Sequence, residues 1–171
     1  GWHAGTSVRR IGTGSPRWRE ASPAHVRREL LWQDRRVRYY ADLHIHSKYS
    51  RACSRDCDIE HLTWWARRKG ITLVGTGDFT HPAWFAHLRE VLEPAEPGLF
   101  RLRPDHELGG STTSTGDVRF MLSVEISTIY KYAERTRKVH HLCYVPDFAA
   151  AEEFNRRLGR IGNLGSDGRP I

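Results

Sequence analysis

Three cysteines in 171 residues are too few for a disulfide framework or a closed zinc site. Cys53 and Cys57 stand four apart, and Cys143 is remote. A structural zinc site takes about four ligands in two close pairs, and only one pair is present. Free thiols in a reducing cytoplasm are therefore expected. Long apolar runs are missing as well. Nothing approaches the roughly 18 residues of a membrane helix, so no membrane partner is expected. The basic-then-apolar pattern of a secretory signal is absent too. The chain opens on Gly1 rather than methionine, which reads as a processed product or a piece of something longer.

Acidic residues are outnumbered 20 to 27, for a net charge of +7. The shortage is local. Residues 1–38 carry nine arginines against Glu20, Glu29 and Asp34, a local charge of +6, so the remainder is nearly neutral. A basic arm can hold nucleic acid electrostatically. A solvated extension explains the same charges. Residues 1–37 are rich in Arg, Gly, Ser and Pro and show weak periodicity. They read as a flexible leader with a short helix near 24–33. Hydrophobic content of 39% and charged content of 27% fit one globular domain over the rest, residues 38–171.

In that part, strands and helices alternate. "VRYYADLHIH" reads as a buried strand led by Val37, Tyr39 and Tyr40. "DIEHLTWWARRKG" reads as a helix capped by Asp58 and stopped by Gly70, with Ile59, Leu62 and Trp65 or Ala66 inward. "ITLVGTGD" is a short strand between glycines. "HPAWFAHLREVLE" is a helix with Pro82 at its first position and Trp84, Leu88 and Val91 or Leu92 on one face. Residues 94–118, with "EPAEPG" and "GGSTTSTGD", read as a long connection with a mobile tip. "RFMLSVEIS" is a strand. "IYKYAERTRKVHHLCYV" is a strand pair around a polar turn. "DFAAAEEFNRRLGRIG" is a helix with Phe154, Leu158 and Ile161 on one stripe. The alternation predicts an α/β fold with a largely parallel sheet.

The polar residues of interest fall at strand ends, where α/β barrels carry their chemistry. His44 and His46 are two apart and so face one side of a strand. Asp42 shares that side and suits a partner for a ligand histidine. Asp78 and His81 follow the second strand, although either is an equally good helix-start residue. Glu125 ends an apolar strand, where an unpaired carboxylate is costly. Of His140 and His141, only one can face inward. Several histidines with two carboxylates make a mixed N and O ligand set, suited to Zn, Mn, Fe or Mg in a catalytic site. Neighbouring ions of that kind generate hydroxide and clamp a phosphoryl transition state.

"ADLHIHSKYS" with "GITLVGTGDFTHP" resembles the polymerase and histidinol phosphatase (PHP) superfamily of metal-dependent phosphoesterases. The stretches "HIHSKYSRACS", "GTGDFTHPAW", "RFMLSVEIS", "KVHHLCYVPDF" and "GRIGNLGSDGRPI" are similar to its endonuclease Q branch, in order, over roughly residues 39–171. The resemblance implies part of a distorted (β/α)7 barrel, here its N-terminal portion. It implies a hydrolase, with two or three divalent ions (Zn, Mn or Mg) in the intact enzyme. It also implies damaged DNA as partner, nicked on the 5′ side of deaminated bases or abasic sites. By position it implies His44, His46, Asp78, His81, Glu125 and His140 as metal ligands, with His140 preferred to His141.

The chain departs from the superfamily in three places. Arg51 stands where a ligand is usual, and the resemblance then points to phosphate contact. Lys48 suits phosphate or plain solvent equally. Phe79 replaces the histidine of the usual "TDH", with His81 two residues on. The closing Asp-x-His motif is absent, so the barrel is expected to stay open with an exposed sheet edge. Two further readings share the ligands: a small-molecule phosphatase of the histidinol-phosphatase kind, and a catalytically incomplete fragment. An amidohydrolase would need a lysine at a core strand end, and Lys48, Lys69, Lys131 and Lys138 end none.

Overall fold

The computed structural model describes residues 39–51, 53–109 and 116–164. The expected basic leader 1–37, the tip of the 94–118 connection and the end of "GRIGNLGSDGRPI" lie outside the described residues. Six strands and three helices follow one another. They are β1 (Ala41–Asp42), α1 (Ile59–Lys69), β2 (Leu73–Gly75), α2 (Pro82–Val91), β3 (Leu92–Pro94), β4 (Phe100–Leu102), β5 (Arg119–Tyr132), β6 (Arg135–Val145) and α3 (Phe148–Leu158), with a 3₁₀ turn at Pro104–His106. No helix among the described residues is long and apolar enough to cross a membrane.

The helices start and stop where their end residues dictate. Asp58 accepts a hydrogen bond from the His61 amide, and Gly70 closes α1 in the left-handed conformation at φ 71°. Ile59, Thr63 and Ala66 are buried, whereas Trp65 is half exposed. Pro82 occupies the first position of α2, and Trp84, Leu88 and Val91 are buried beneath it. Asp147 caps α3 by accepting from the Ala150 amide at 2.7 Å. The expected third member of the α3 stripe, Ile161, lies beyond the helix and is 75% exposed.

The sheet is mixed rather than largely parallel. β1–β2 and β2–β5 pair parallel, while β3–β4, β4–β5 and β5–β6 pair antiparallel. Its order is β1-β2-β5-β4-β3, with β6 on β5. The sheet is open, and no (β/α)7 barrel forms among the described residues. Only the first two crossovers contain a helix. β3–β4 and β5–β6 are joined by short turns, which reverse direction at once and cannot give parallel neighbours.

Two expectations fail for local reasons. The first strand is two residues long, not ten. Tyr39 and Tyr40, just ahead of it, are 61% and 65% exposed. Residues 94–118 are not all connection, since Leu92–Pro94 and Phe100–Leu102 form a hairpin. Pro94 is tolerated there because β3 is an edge, where the missing N–H leaves no ladder bond unmade. "EPG" supplies the turn, with Gly98 at φ 81°.

The core gathers Ile59, Phe79, Trp84, Leu88, Leu92, Phe120 and Leu122, all nearly inaccessible. It fixes β2 and β5 side by side, with Val74 opposite Phe120. Because β1, β2 and β5 run parallel, the residues that follow β1 and β2 emerge at one end of the sheet, beside the middle of β5.

Candidate metal centre

His44 and His46 lie in the extended segment after β1, and Glu125 lies in β5. Their ligand atoms sit within 4.8 Å of one another. His44 Nε2 is 2.5 Å from Glu125 Oε2, and His46 Nε2 is 3.4 Å from the same oxygen. His140 Nδ1 contacts the other carboxylate oxygen of Glu125. This pairing follows from the ladder. Glu125 faces Leu142 and Ser127 faces His140, so Glu125 and His140 are diagonal neighbours on one face. His141 points the other way, toward Thr128 Oγ1 at 3.3 Å.

Asp78 reaches the group through His46. Its Oδ1 accepts from His46 Nδ1 at 3.1 Å, which turns Nε2 toward Glu125. Its Oδ2 accepts from the Ser47 amide at 2.6 Å and the Ser47 hydroxyl at 2.8 Å. A carboxylate on the remote nitrogen of a ligand histidine fixes tautomer and ring orientation. His81 sits apart. It is the N-cap of α2, accepting from the Trp84 amide at 3.4 Å, and its ring stacks on Tyr49 at 4.4 Å. Phe79 is fully buried in the core, edge-on to Phe154. Asp42 is exposed on β1 and joins no hydrogen bond or ion pair among the described residues. Arg51 is exposed in the turn that follows the histidines, and Lys48 lies 3.8 Å from Asp58.

Burial pushes the Glu125 carboxyl up. The His44 hydrogen bond and the nearby charges of His140, His46 and His44 outweigh it and hold the group below the usual carboxylate range. Glu125 is thus kept as an anion facing three imidazoles. Two nitrogens and an oxygen converge on one point, with the remote nitrogen of one histidine held by a carboxylate, a mixed donor set able to hold a metal ion. The residues present fit a divalent ion.

The support beneath the site is built from small polar residues and glycines. A Cβ on Gly75 would meet Leu43 O and Ser123 Oγ, both at 2.7 Å. One on Gly77, at φ 64°, would meet Ile45 O at 2.5 Å. The glycines let β2 press against the histidine segment. Ser123 Oγ accepts from the Gly77 amide at 2.9 Å, and Thr76 Oγ1 accepts from the Ser123 amide at 3.0 Å. Trp84 Nε1 donates to Gly77 O at 2.9 Å, and Tyr144 Oη donates to Leu43 O at 3.1 Å. Sequence reasoning missed Ser47, Thr76 and Ser123. The signal for two of them was a lone hydroxyl inside an apolar strand stretch, "LVGT" and "FMLSVE".

Two solved structures are similar to this chain. One is endonuclease Q in complex with a 27-mer duplex substrate with an abasic lesion at the active site. It is 32% identical, with a TM-score of 0.57, over 76% of this chain and 28% of that chain. The other is the lesion-specific endonuclease PfuEndoQ from Pyrococcus furiosus, 32% identical with a TM-score of 0.58 and the same coverage. The chain is endonuclease Q-like. Its endonuclease Q-like part thus spans little more than a quarter of those solved chains. An uncharacterized protein of Methanocaldococcus jannaschii is 28% identical over 130 residues, which is 75% of this chain and 13% of that protein. No family model matches the chain.

Proposed function

We propose that the chain carries metal-binding residues of a DNA-repair endonuclease that hydrolyses the phosphodiester on the 5′ side of deaminated bases or abasic sites. The observation that carries this reading is the convergence of His44, His46 and Glu125, in a chain similar to endonuclease Q. The PHP-type barrel is proposed for the whole protein, of which residues 38–171 form a part.

His44, His46 and Glu125 would hold a divalent ion, Zn, Mn or Mg. When bound, such an ion supplies Lewis acidity and a nucleophile at neutral pH. His140 braces Glu125 through its second oxygen, and Asp78 orients His46. Glu125 and His140 are held by β5 and β6, and the segment carrying His44 and His46 is tied down by the Asp78 and Tyr144 hydrogen bonds. Arg51, exposed one turn from His46, would bind a phosphate oxygen of the DNA backbone. The resemblance implies Asp78, His81 and His140 as further ligands; here Asp78 bonds His46, His140 contacts Glu125 and His81 caps α2.

The test is cleavage by the full protein of duplexes bearing uracil, hypoxanthine or an abasic site, with Mn or Mg. A single nick 5′ of the lesion, lost in His46→Ala and Glu125→Gln, is expected. Turnover of simple phosphomonoesters without nicking would move the reading to a small-molecule phosphatase. Metal binding without any hydrolysis would leave a scaffold that is incomplete for catalysis.

A further inference from the structure

The β5–β6 ribbon outruns the core. Up to Thr128, β5 is buried or half-buried, whereas Ile129, Tyr130, Lys131 and Tyr132 are exposed, and Arg135–Lys138 opposite them are exposed too. Beyond Thr128, neither face is covered among the described residues. Two-stranded ribbons open on both faces are marginal on their own, so this one needs a reason to stand.

Register sorts its side chains into two faces. Glu125 shares a face with the cross-strand pairs Ser127–His140, Ile129–Lys138 and Lys131–Thr136. The opposite face carries Tyr130–Arg137 and Tyr132–Arg135. The four cations have one acidic companion, Glu134 in the turn, and none forms an ion pair among the described residues. On the site face, Lys138 lies level with Ile129, four residues along β5 from Glu125, and Lys131 lies six along. At about 3.4 Å per strand residue these are roughly 14 and 20 Å from the carboxylate. One turn of duplex is about 34 Å long, so both lysines lie within one helical turn of a phosphate placed beside Glu125.

We propose that the projecting end of β5–β6 is a phosphate-tracking arm. On it, Lys138 and Lys131 hold the sugar–phosphate backbone of a DNA duplex whose reacting phosphate lies beside Glu125. The inference rests on the endonuclease reading above and adds where the duplex runs. A protein segment packed on the ribbon would need carboxylates of its own to offset the two lysines it buries. A polyanion gains from the same charges.

The test is fluorescence anisotropy of a labelled 20-base-pair duplex, with and without an abasic site, titrated with the full protein between 50 and 200 mM KCl. Each lost phosphate contact lowers the slope of log K against log salt by about 0.9. Lys131→Gln with Lys138→Gln should lower it by about 1.8 and weaken both duplexes equally. Lys131→Arg with Lys138→Arg should keep the slope, which separates charge from folding. Arg135→Gln with Arg137→Gln, on the far face, should leave it nearly unchanged. An unchanged slope in the lysine-to-glutamine pair, an equal loss in the arginine pair, or no duplex binding by the wild-type protein overturns the arm. Nicking reports separately on the endonuclease reading. Nicking with an unchanged lysine slope removes the arm alone, and a lowered slope without nicking removes only the reading.

Discussion

Gly77 shows how one missing side chain sets the site. Its φ of 64° strains any L-residue, and an added Cβ would lie 2.5 Å from Ile45 O and 3.1 Å from His46 Cα. Gly98 has a similar φ, 81°, with open space around it. The two separate strain from collision. Gly98→Ala should destabilise by about 1 kcal/mol through strain alone. Gly77→Ala should cost roughly 2–3 kcal/mol, because His46 must also move, and should weaken metal binding at least tenfold. Urea denaturation and a metal titration of both variants check this. Asp58 gives a pH test at the same scale. Burial pushes its carboxyl up, but the His61 amide and ring and the Lys48 charge bring it below its ordinary value. A depressed folded-state pKa contributes stability above the unfolded value, about 3.9, which is lost as pH falls through the folded one. Asp58→Asn keeps a capping oxygen and removes the charge. It should therefore melt below the wild-type protein at pH 6–7 and converge with it as the pH drops below about 4.

Elements with a strong local signature were legible, and those decided by neighbours were not. Asp58, Gly70, Pro82 and Asp147 bound their helices as their chemistry requires. β3 and β4 were hidden because a proline at a strand end reads as a breaker until the strand is known to be an edge. β1 was overread because its apolar residues meet a partner on one side only. In the site, His44, His46, Glu125 and His140 come together, but Glu125 and His140 lie mid-strand rather than at the expected strand ends. The capping geometry of His81 was not legible, since a histidine before a proline fits a cap and a ligand alike. The β5–β6 turn carries a testable compromise. Tyr132 pairs with Arg135, so Ala133 and Glu134 form a two-residue loop, and both have positive φ, 48° and 58°. Such loops favour Asn-Gly, since each ordinary residue there costs about 1 kcal/mol. Ala133→Asn with Glu134→Gly should therefore stabilise the ribbon by about 1–2 kcal/mol. Because the ribbon can open without global unfolding, the gain should appear as roughly tenfold slower hydrogen exchange at amides of residues 129–138, with a smaller change in Tm. Equal exchange in the two proteins would show that the turn is not what limits ribbon opening.

At the scale of the whole described domain, the candidate site joins parts that the open sheet holds only weakly. His44 and His46 follow a two-residue edge strand, and Glu125 and His140 sit on the ribbon. An ion held among the first three would cross-link the edge to the middle of the sheet. A ligand that binds only the folded state stabilises it by RT ln(1 + [L]/Kd), about 2.7 kcal/mol at a hundredfold excess over Kd. Mn²⁺ or Zn²⁺ at that excess should raise Tm by several degrees, and chelation should reverse the rise. His44→Ala, His46→Ala and Glu125→Gln should abolish the rise. His81 separates the two roles open to it. As the cap of α2, its loss should lower Tm in the absence of metal by an amount worth about 1 kcal/mol, yet leave the metal-induced increment intact. As a ligand, its loss should shrink the increment as His46→Ala does. Melting of the four variants with and without metal decides between them, and it does so without any assay of DNA cleavage.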